Sequence, residues 1–77
     1  MTPEKALNYA REDIAEIRIA STQNECDILH SAIIGYSRAL LDCGLISAAQ
    51  RRVLIAEADL ELASWQESTE PRIPLPN

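Results

Sequence analysis

Three kinds of side chain in this sequence are able to do chemistry: one histidine, two cysteines and a set of acidic residues. His30 is the only histidine in the 77 residues. A general base needs a nucleophile or a second titrating group beside it, and none is identifiable. His30 falls at the edge of an apolar helical face, so we expect it at a core boundary or a subunit interface. The sequence predicts no catalytic residue and no enzymatic activity.

Cys26 and Cys43 do not form a pattern typical of redox or metal sites. Their positions differ by seventeen, which on one helix places their Cα atoms ~25 Å apart, beyond the ~7 Å that a disulfide spans. Neither cysteine belongs to a CxxC pair or lies near a matching set of histidines. We therefore expect no metal and no cofactor, and interpret both cysteines as small buried hydrophobic residues.

Length and charge limit the classes of function. A chain of 77 residues forms one domain at most, and it buries only ~60% of its unfolded surface, which makes a lone domain marginal. The net charge of -5 opposes attraction to phosphates, so we expect neither nucleic acid nor membrane as a partner. The sequence opens without a signal-peptide pattern, and no apolar run approaches about eighteen residues. These features predict a cytoplasmic protein.

A helical hairpin around Gly44 is the clearest structural signal in the sequence. Glycine adopts the left-handed conformation at a helix end without steric cost. Leu45 is then placed to contact Leu40, as in a Schellman motif. Ser47 and Gln50 match a capping box at the start of the next helix. The chain should therefore reverse direction at Gly44.

Upstream of this turn, the sequence favours helix almost throughout. Thr2 and Pro3 are typical of a helix start, and the following forty residues contain one glycine and no proline. The weak point is the run Ser21 to Glu25, which is poor in helix formers and contains a second capping-box pattern. We predict one long helix over residues 3–43, with a kink near 21–24; a break into two helices is the alternative.

Downstream of the turn, a further helix should extend from about residue 48 to 67. Prolines 71, 74 and 76 then exclude helix. We expect a single helical domain over residues 1–69, followed by a Pro-rich extended or disordered tail over residues 70–77. The tail also contains a PxxP pattern. We interpret this segment as a frayed chain end or as a strap that packs over the helices.

Both helices of the hairpin have wide apolar surfaces. Apolar residues between 26 and 43 spread over roughly 240° of the helix, so this segment must be covered on several sides. The downstream helix has two separate apolar faces. One repeats at the 4-3-4-3 spacing typical of close antiparallel packing: Ala49, Val53, Ala56, Leu60 and Ala63. The other consists of Leu54, Ile55, Ala58, Leu62 and Trp65.

One hairpin partner cannot cover all of these faces. A continuous helix over 3–43 spans ~60 Å against ~30 Å for the downstream helix, so its N-terminal half has no intrachain partner. We therefore expect an all-α homodimeric bundle of interlocked hairpins. Its predicted interface is Leu29, Ile33, Tyr36 and Leu40. The candidate surface for the dimer's own core or for a foreign protein is Leu54, Leu62 and Trp65. The alternative is a monomeric three-helix bundle that folds back at 21–24.

A DNA-binding helix-turn-helix is the main rival from another functional class. Gln50, Arg51 and Arg52 lie at the start of the downstream helix, where a recognition helix contacts bases. Against this interpretation, the preceding helix is too long and too apolar, and the downstream helix becomes acidic after Val53.

The opening Met1 to Leu7 and the hairpin segment Arg38 to Ser47 resemble those of small early-operon accessory proteins of lambdoid phages and prophages. Short length and acidic charge are similar too. The resemblance implies a small helical factor that regulates a host or phage protein by binding it; it supplies no site residues. A phage inhibitor of a bacterial defence system is a neighbouring possibility. We expect a non-enzymatic protein-interaction module whose partners are a second copy of itself and a host or phage protein.

Overall fold

The computed structural model describes residues 1–69, which form three α-helices joined by two short turns. Helix α1 is Pro3–Ile17, α2 is Gln23–Asp42 and α3 is Ala48–Thr69. No β-strand is present in this range, and each helix contacts the other two. The predicted all-α class is confirmed. The Pro-rich tail predicted for 70–77 lies outside the described residues.

The turn between α2 and α3 has the predicted geometry. Gly44 has a φ of 73°, in the left-handed region where other residues are strained. Its N–H donates to the carbonyl of Leu41 at 3.0 Å, and the N–H of Leu45 donates to the carbonyl of Leu40 at 2.9 Å. This pair of bonds is a Schellman motif. The motif satisfies two carbonyls that the end of α2 would otherwise leave unpaired.

The capping box predicted at the start of α3 is also present. The N–H of Gln50 donates to Ser47 Oγ at 3.0 Å, and the N–H of Ser47 donates to Gln50 Oε1 at 2.8 Å. Two N–H groups at the start of the helix are thereby satisfied by each other's side chains.

The continuous helix predicted for residues 3–43 is wrong, because the chain breaks between Ile17 and Gln23. Thr22 Oγ1 accepts from the N–H of Glu25 at 3.1 Å, and Glu25 Oε2 accepts from the N–H of Ser21 at 2.7 Å. These bonds give α2 its own N-terminal cap. The break was the alternative considered from sequence, and it gives α1 the intrachain partners that a 60 Å helix would lack.

Contacts between side chains show how the three helices run. Arg11 of α1 pairs with Glu57 of α3, and Arg18, nearer the C-terminal end of α1, pairs with Glu61. The two partners follow in the same order along α3, so α1 and α3 are parallel. At the far end of α3, Trp65 Nε1 donates to the carbonyl of Ala20 in the α1–α2 turn at 2.8 Å. Helix α2 therefore runs antiparallel to both neighbours, and the molecule is an up-down-up bundle.

The core lies along the common axis of the three helices. Ile17, Ile33 and Leu54 are the largest fully buried side chains, one from each helix. The core of the described chain is Ala6, Ala10, Ile14, Ile17, Cys26, Ile33, Leu40, Ile46, Leu54 and Ala58. Helix α1 contributes an amphipathic stripe to this core, since Ala10, Ile14 and Ile17 are buried and Leu7 is partly buried.

The face of α3 that turns towards the core is the opposite of the one predicted. The sequence favoured its 4-3-4-3 face as the hairpin seam and left Leu54, Leu62 and Trp65 uncovered. In the structure Leu54 is fully buried, and Leu62 and Trp65 pack against the core. The prediction was wrong because it placed a single helix against α3, whereas α1 and α2 together cover the face that contains Leu54.

Candidate functional site

The residues whose types suggested chemistry are scattered over the fold. His30 is partly buried on α2 and lies at the predicted core boundary; its Nε2 is 2.5 Å from Asp59 Oδ1 on α3. Cys26 is buried, and its Sγ lies 3.7 Å from the carbonyl oxygen of Ile17. Cys43, at the end of α2, is exposed. The expected burial is therefore confirmed for Cys26 and wrong for Cys43.

Burial sets the protonation of Cys26. Removal of the thiol from water raises the pKa of Cys26, and the carboxylates of Asp27 and Glu25 raise it further. A thiol whose pKa is raised stays protonated at neutral pH and reacts slowly as a nucleophile. Cys26 is thus suited to packing against α1 and unsuited to covalent catalysis.

The residues predicted at the dimer interface lie within the core of one chain. Ile33 and Leu40 are buried, and Leu29 and Tyr36 pack partly buried against the same core. The cause is the break at residues 18–22. It brings α1 over the face of α2 that the sequence predicted to contact a second chain. Interface residues for a dimer must therefore be sought elsewhere on the surface.

The candidate partner surface is likewise inside the fold. Leu54 has no exposed surface, and Trp65 is partly buried with its indole N–H bonded to the carbonyl of Ala20. Leu62 packs partly buried against the core. Because Leu54 is inaccessible, these three residues do not form an open docking surface in this structure.

A different apolar surface is open on the outer side of α3. Leu60 is 71% exposed and Val53 is 51% exposed, and three exposed alanines continue the row. We call this row the α3 stripe: Ala49, Val53, Ala56, Leu60 and Ala63. Its spacing was recognised from the sequence as a helix-packing seam. What the sequence did not reveal is that no helix of the described chain occupies it.

An apolar groove adjoins the N-terminal half of the stripe. It has a volume of about 300 Å³ and lies between α1 and α3, lined by Leu7, Arg11, Ala49, Gln50 and Val53. We call it the α1–α3 groove. Its lining is mostly aliphatic, with the Arg11 guanidinium and the Gln50 amide as its polar groups. Such a lining suits an aliphatic side chain presented by a partner helix.

Charged residues follow both edges of the stripe. On the edge next to α1, Arg11 Nε lies 3.7 Å from Glu57 Oε2, and the Arg18 guanidinium forms two hydrogen bonds to Glu61. On the edge next to α2, Arg52 is exposed and Asp59 bonds to His30 while its side chain remains 60% exposed. The stripe is therefore an apolar row between polar margins, as on a helix that packs against another helix in a coiled coil.

Among the charged residues along these two edges, Arg18 and Glu61 shift each other's pKa. Hydrogen bonding to Arg18, with its positive charge, lowers the pKa of Glu61 against an opposing effect of burial. The same contact raises the pKa of Arg18. Since the Arg18 side chain is 70% exposed, the pair contributes little to stability and mainly fixes the end of α1 against α3.

The arginines that suggested DNA recognition are not equivalent in the structure. Arg51 is partly buried, and its Nη2 donates to the carbonyl of Ile34 on α2 at 3.2 Å. Its Nε is buried and has no hydrogen-bond partner in the described chain. Arg52 is exposed. One of the two arginines is thus held within the hairpin, which weakens the case for a recognition helix.

The described residues contain no grouping suited to hold a metal ion. Between residues 1 and 69, no cluster of three or more His, Cys, Asp or Glu is placed to hold a metal ion. Within the same residues, no helix combines the length and the apolarity needed to cross a membrane. The α3 stripe and the α1–α3 groove are the features with a recognisable binding geometry. No protein-family model, curated protein or solved structure matches this chain.

Proposed function

We propose that this chain is a non-enzymatic protein-interaction module that acts as a homodimer. The observation that carries the proposal is the open α3 stripe, because the inner face of α3 already fills the core. A continuous apolar row with coiled-coil spacing on a fully folded bundle is typical of a surface that another helix covers. The interface assigned from sequence to Leu29, Ile33, Tyr36 and Leu40 is replaced here by the α3 stripe.

The regulatory part of the proposal comes from the sequence. Its resemblance to accessory proteins of lambdoid phages supports a small cytoplasmic regulator that binds a host or phage protein. An inhibitor of a bacterial defence system would use the same kind of surface. The DNA-binding alternative is less well supported, because Arg51 is bonded inside the hairpin and the margins of the stripe carry Glu57, Asp59 and Glu61.

Sedimentation equilibrium of the wild type and two lysine variants tests the proposed dimer. At micromolar concentration the wild type should sediment at twice the 8.5 kDa chain mass. Leu60→Lys places a charge within the stripe and should give a monomer with unchanged helicity. The matched control is Ile19→Lys, since Ile19 is 79% exposed in the turn after α1 and lies outside the stripe. It should remain dimeric.

Two results would contradict the proposal. A wild type that remains at the single-chain mass throughout the micromolar range would exclude the dimer. A Leu60→Lys variant that dimerises as tightly as Ile19→Lys would show that the stripe is not the interface.

A further inference from the structure

We infer that the α3 stripe pairs with the same stripe of a second copy in an antiparallel arrangement, with the two-fold axis at Ala56. This inference rests on the proposed homodimer and adds its partner geometry. The sizes of the side chains in the stripe are nearly symmetric about Ala56. Ala49 lies seven residues before it and Ala63 seven residues after it. Val53 lies three residues before Ala56, and Leu60 lies four residues after it. An antiparallel pair centred on Ala56 therefore matches alanine with alanine, and Val53 with Leu60 of the second copy.

The shape of the molecule supports this register. Leu60 is more exposed than Val53, the other large side chain of the stripe, and the α1–α3 groove opens beside Val53. With Val53 opposite Leu60 of the second copy, the leucine side chain of each copy meets the groove of the other. One surface thus carries both the projecting side chain and the cavity that receives it. The alanines between them allow the two helices to approach closely.

The charges support the same register. In an antiparallel pair with this symmetry, the edges of the two α3 helices that face their own α2 lie side by side. Arg52, four residues before Ala56, then lies opposite Asp59 of the second copy, three residues after it, and the contact occurs twice. Asp59 already binds His30 through Oδ1 and keeps most of its side chain exposed, so it can also accept a bond from an arginine.

The other edge brings the Glu57 side chains of the two copies near the axis. Each Glu57 is paired within its own chain to Arg11, which offsets the repulsion between the two carboxylates. A parallel pair lacks these matches, because it places Leu60 beside Leu60 and brings Arg52 near Glu57 of the second copy, which is already paired to Arg11. The acidic net charge of -5 opposes association of two copies, and the two contacts between Arg52 and Asp59 offset part of that repulsion.

Disulfide trapping tests the position of the axis. In a Cys43→Ser background, which removes the exposed native thiol, Ala56→Cys should form a covalent dimer on mild oxidation with diamide. Ala63→Cys alone should not, but a mixture of Ala63→Cys and Ala49→Cys should form the mixed dimer. Ala32→Cys, exposed on α2, is the control for random collisions. A dimer that crosslinks through Ala63→Cys alone, or not at all through Ala56→Cys, would overturn the register while leaving the homodimer standing.

Charge reversal tests the Arg52 and Asp59 contact. Arg52→Glu alone and Asp59→Arg alone each create two like-charge contacts, and each should raise the dissociation constant of the homodimer at least about tenfold. Mixed together, the two variants regain both opposite-charge contacts, so the mixed dimer should bind within about threefold of the wild type. Equal weakness of the mixture and of the separate variants would contradict the pairing. A monomeric wild type would overturn both this inference and the proposed dimer.

Discussion

The inner and outer faces of α3 are both apolar, yet one forms core and the other is open. The inner face carries the larger side chains, among them Leu54, Leu62 and Trp65, whereas the outer face is mostly alanine. Burial of large aliphatic and aromatic side chains removes more apolar area from water, so the bundle gains more by turning that face inward. Spacing alone therefore identifies two candidate seams, and side-chain volume decides which one the chain covers itself.

Leucine-to-alanine substitutions on the two faces provide the largest contrast. Leu54→Ala removes a fully buried side chain and should lower the free energy of unfolding by ~2–5 kcal/mol. Leu60→Ala should change it by less than ~0.5 kcal/mol, because the side chain already contacts water in the single chain. Urea unfolding followed by circular dichroism, at a concentration below the dissociation constant, measures both. Comparable losses for the two variants would refute the assignment of faces.

The two glycines offer a smaller contrast between a constrained and an unconstrained position. Gly44 has a positive φ, so Gly44→Ala should lower the free energy of unfolding by ~1–2 kcal/mol. Gly35 is exposed on α2, and a Cβ there meets no atom within 4 Å. Gly35→Ala should therefore raise stability by ~0.5–1 kcal/mol. Thermal unfolding of the two variants compares them, and a destabilising Gly35→Ala would show that the outer face of α2 is covered.

The smallest effect expected is a pH dependence at the margin between α1 and the stripe. The pKa of Glu61 is lowered in the folded state by Arg18, so its contribution is fully present above the unfolded carboxyl pKa. It is lost as the pH falls through the lower folded value. Glu61→Gln should flatten the stability profile in this acidic range by less than ~1 kcal/mol. The control is Glu57→Gln, which removes a carboxylate that lies 3.7 Å from Arg11 Nε. Equal profiles for wild type and Glu61→Gln would exclude this effect.

The local signals in the sequence predicted much of the fold correctly. The starts of α1 and α3, the end of α2 and the turn at Gly44 depend on a few adjacent residues, so their hydrogen bonds follow from residue type. The break at residues 18–22 had the same kind of signal in Thr22 and Glu25. This break is only the alternative in the sequence-based prediction, because the neighbouring residues also favour helix and continuing a helix is locally favourable.

The sequence predicted only part of the candidate site. The 4-3-4-3 row of the stripe could be recognised there, but its partner could not be assigned. The groove could not be predicted at all, since Leu7 and Val53 are far apart in sequence and meet only when α1 folds beside α3.

The sequence by itself determined that the chain is helical, where its clearest turn lies and which rows of residues are apolar. These properties follow from backbone preferences and from a period of 3.6 residues, which act over one or two helical turns. The tertiary structure decided that α1 folds back, which face of α3 is buried and which is left open. Those choices depend on the total apolar area that three helices can bury together, a quantity shared among distant residues and therefore absent from any local pattern.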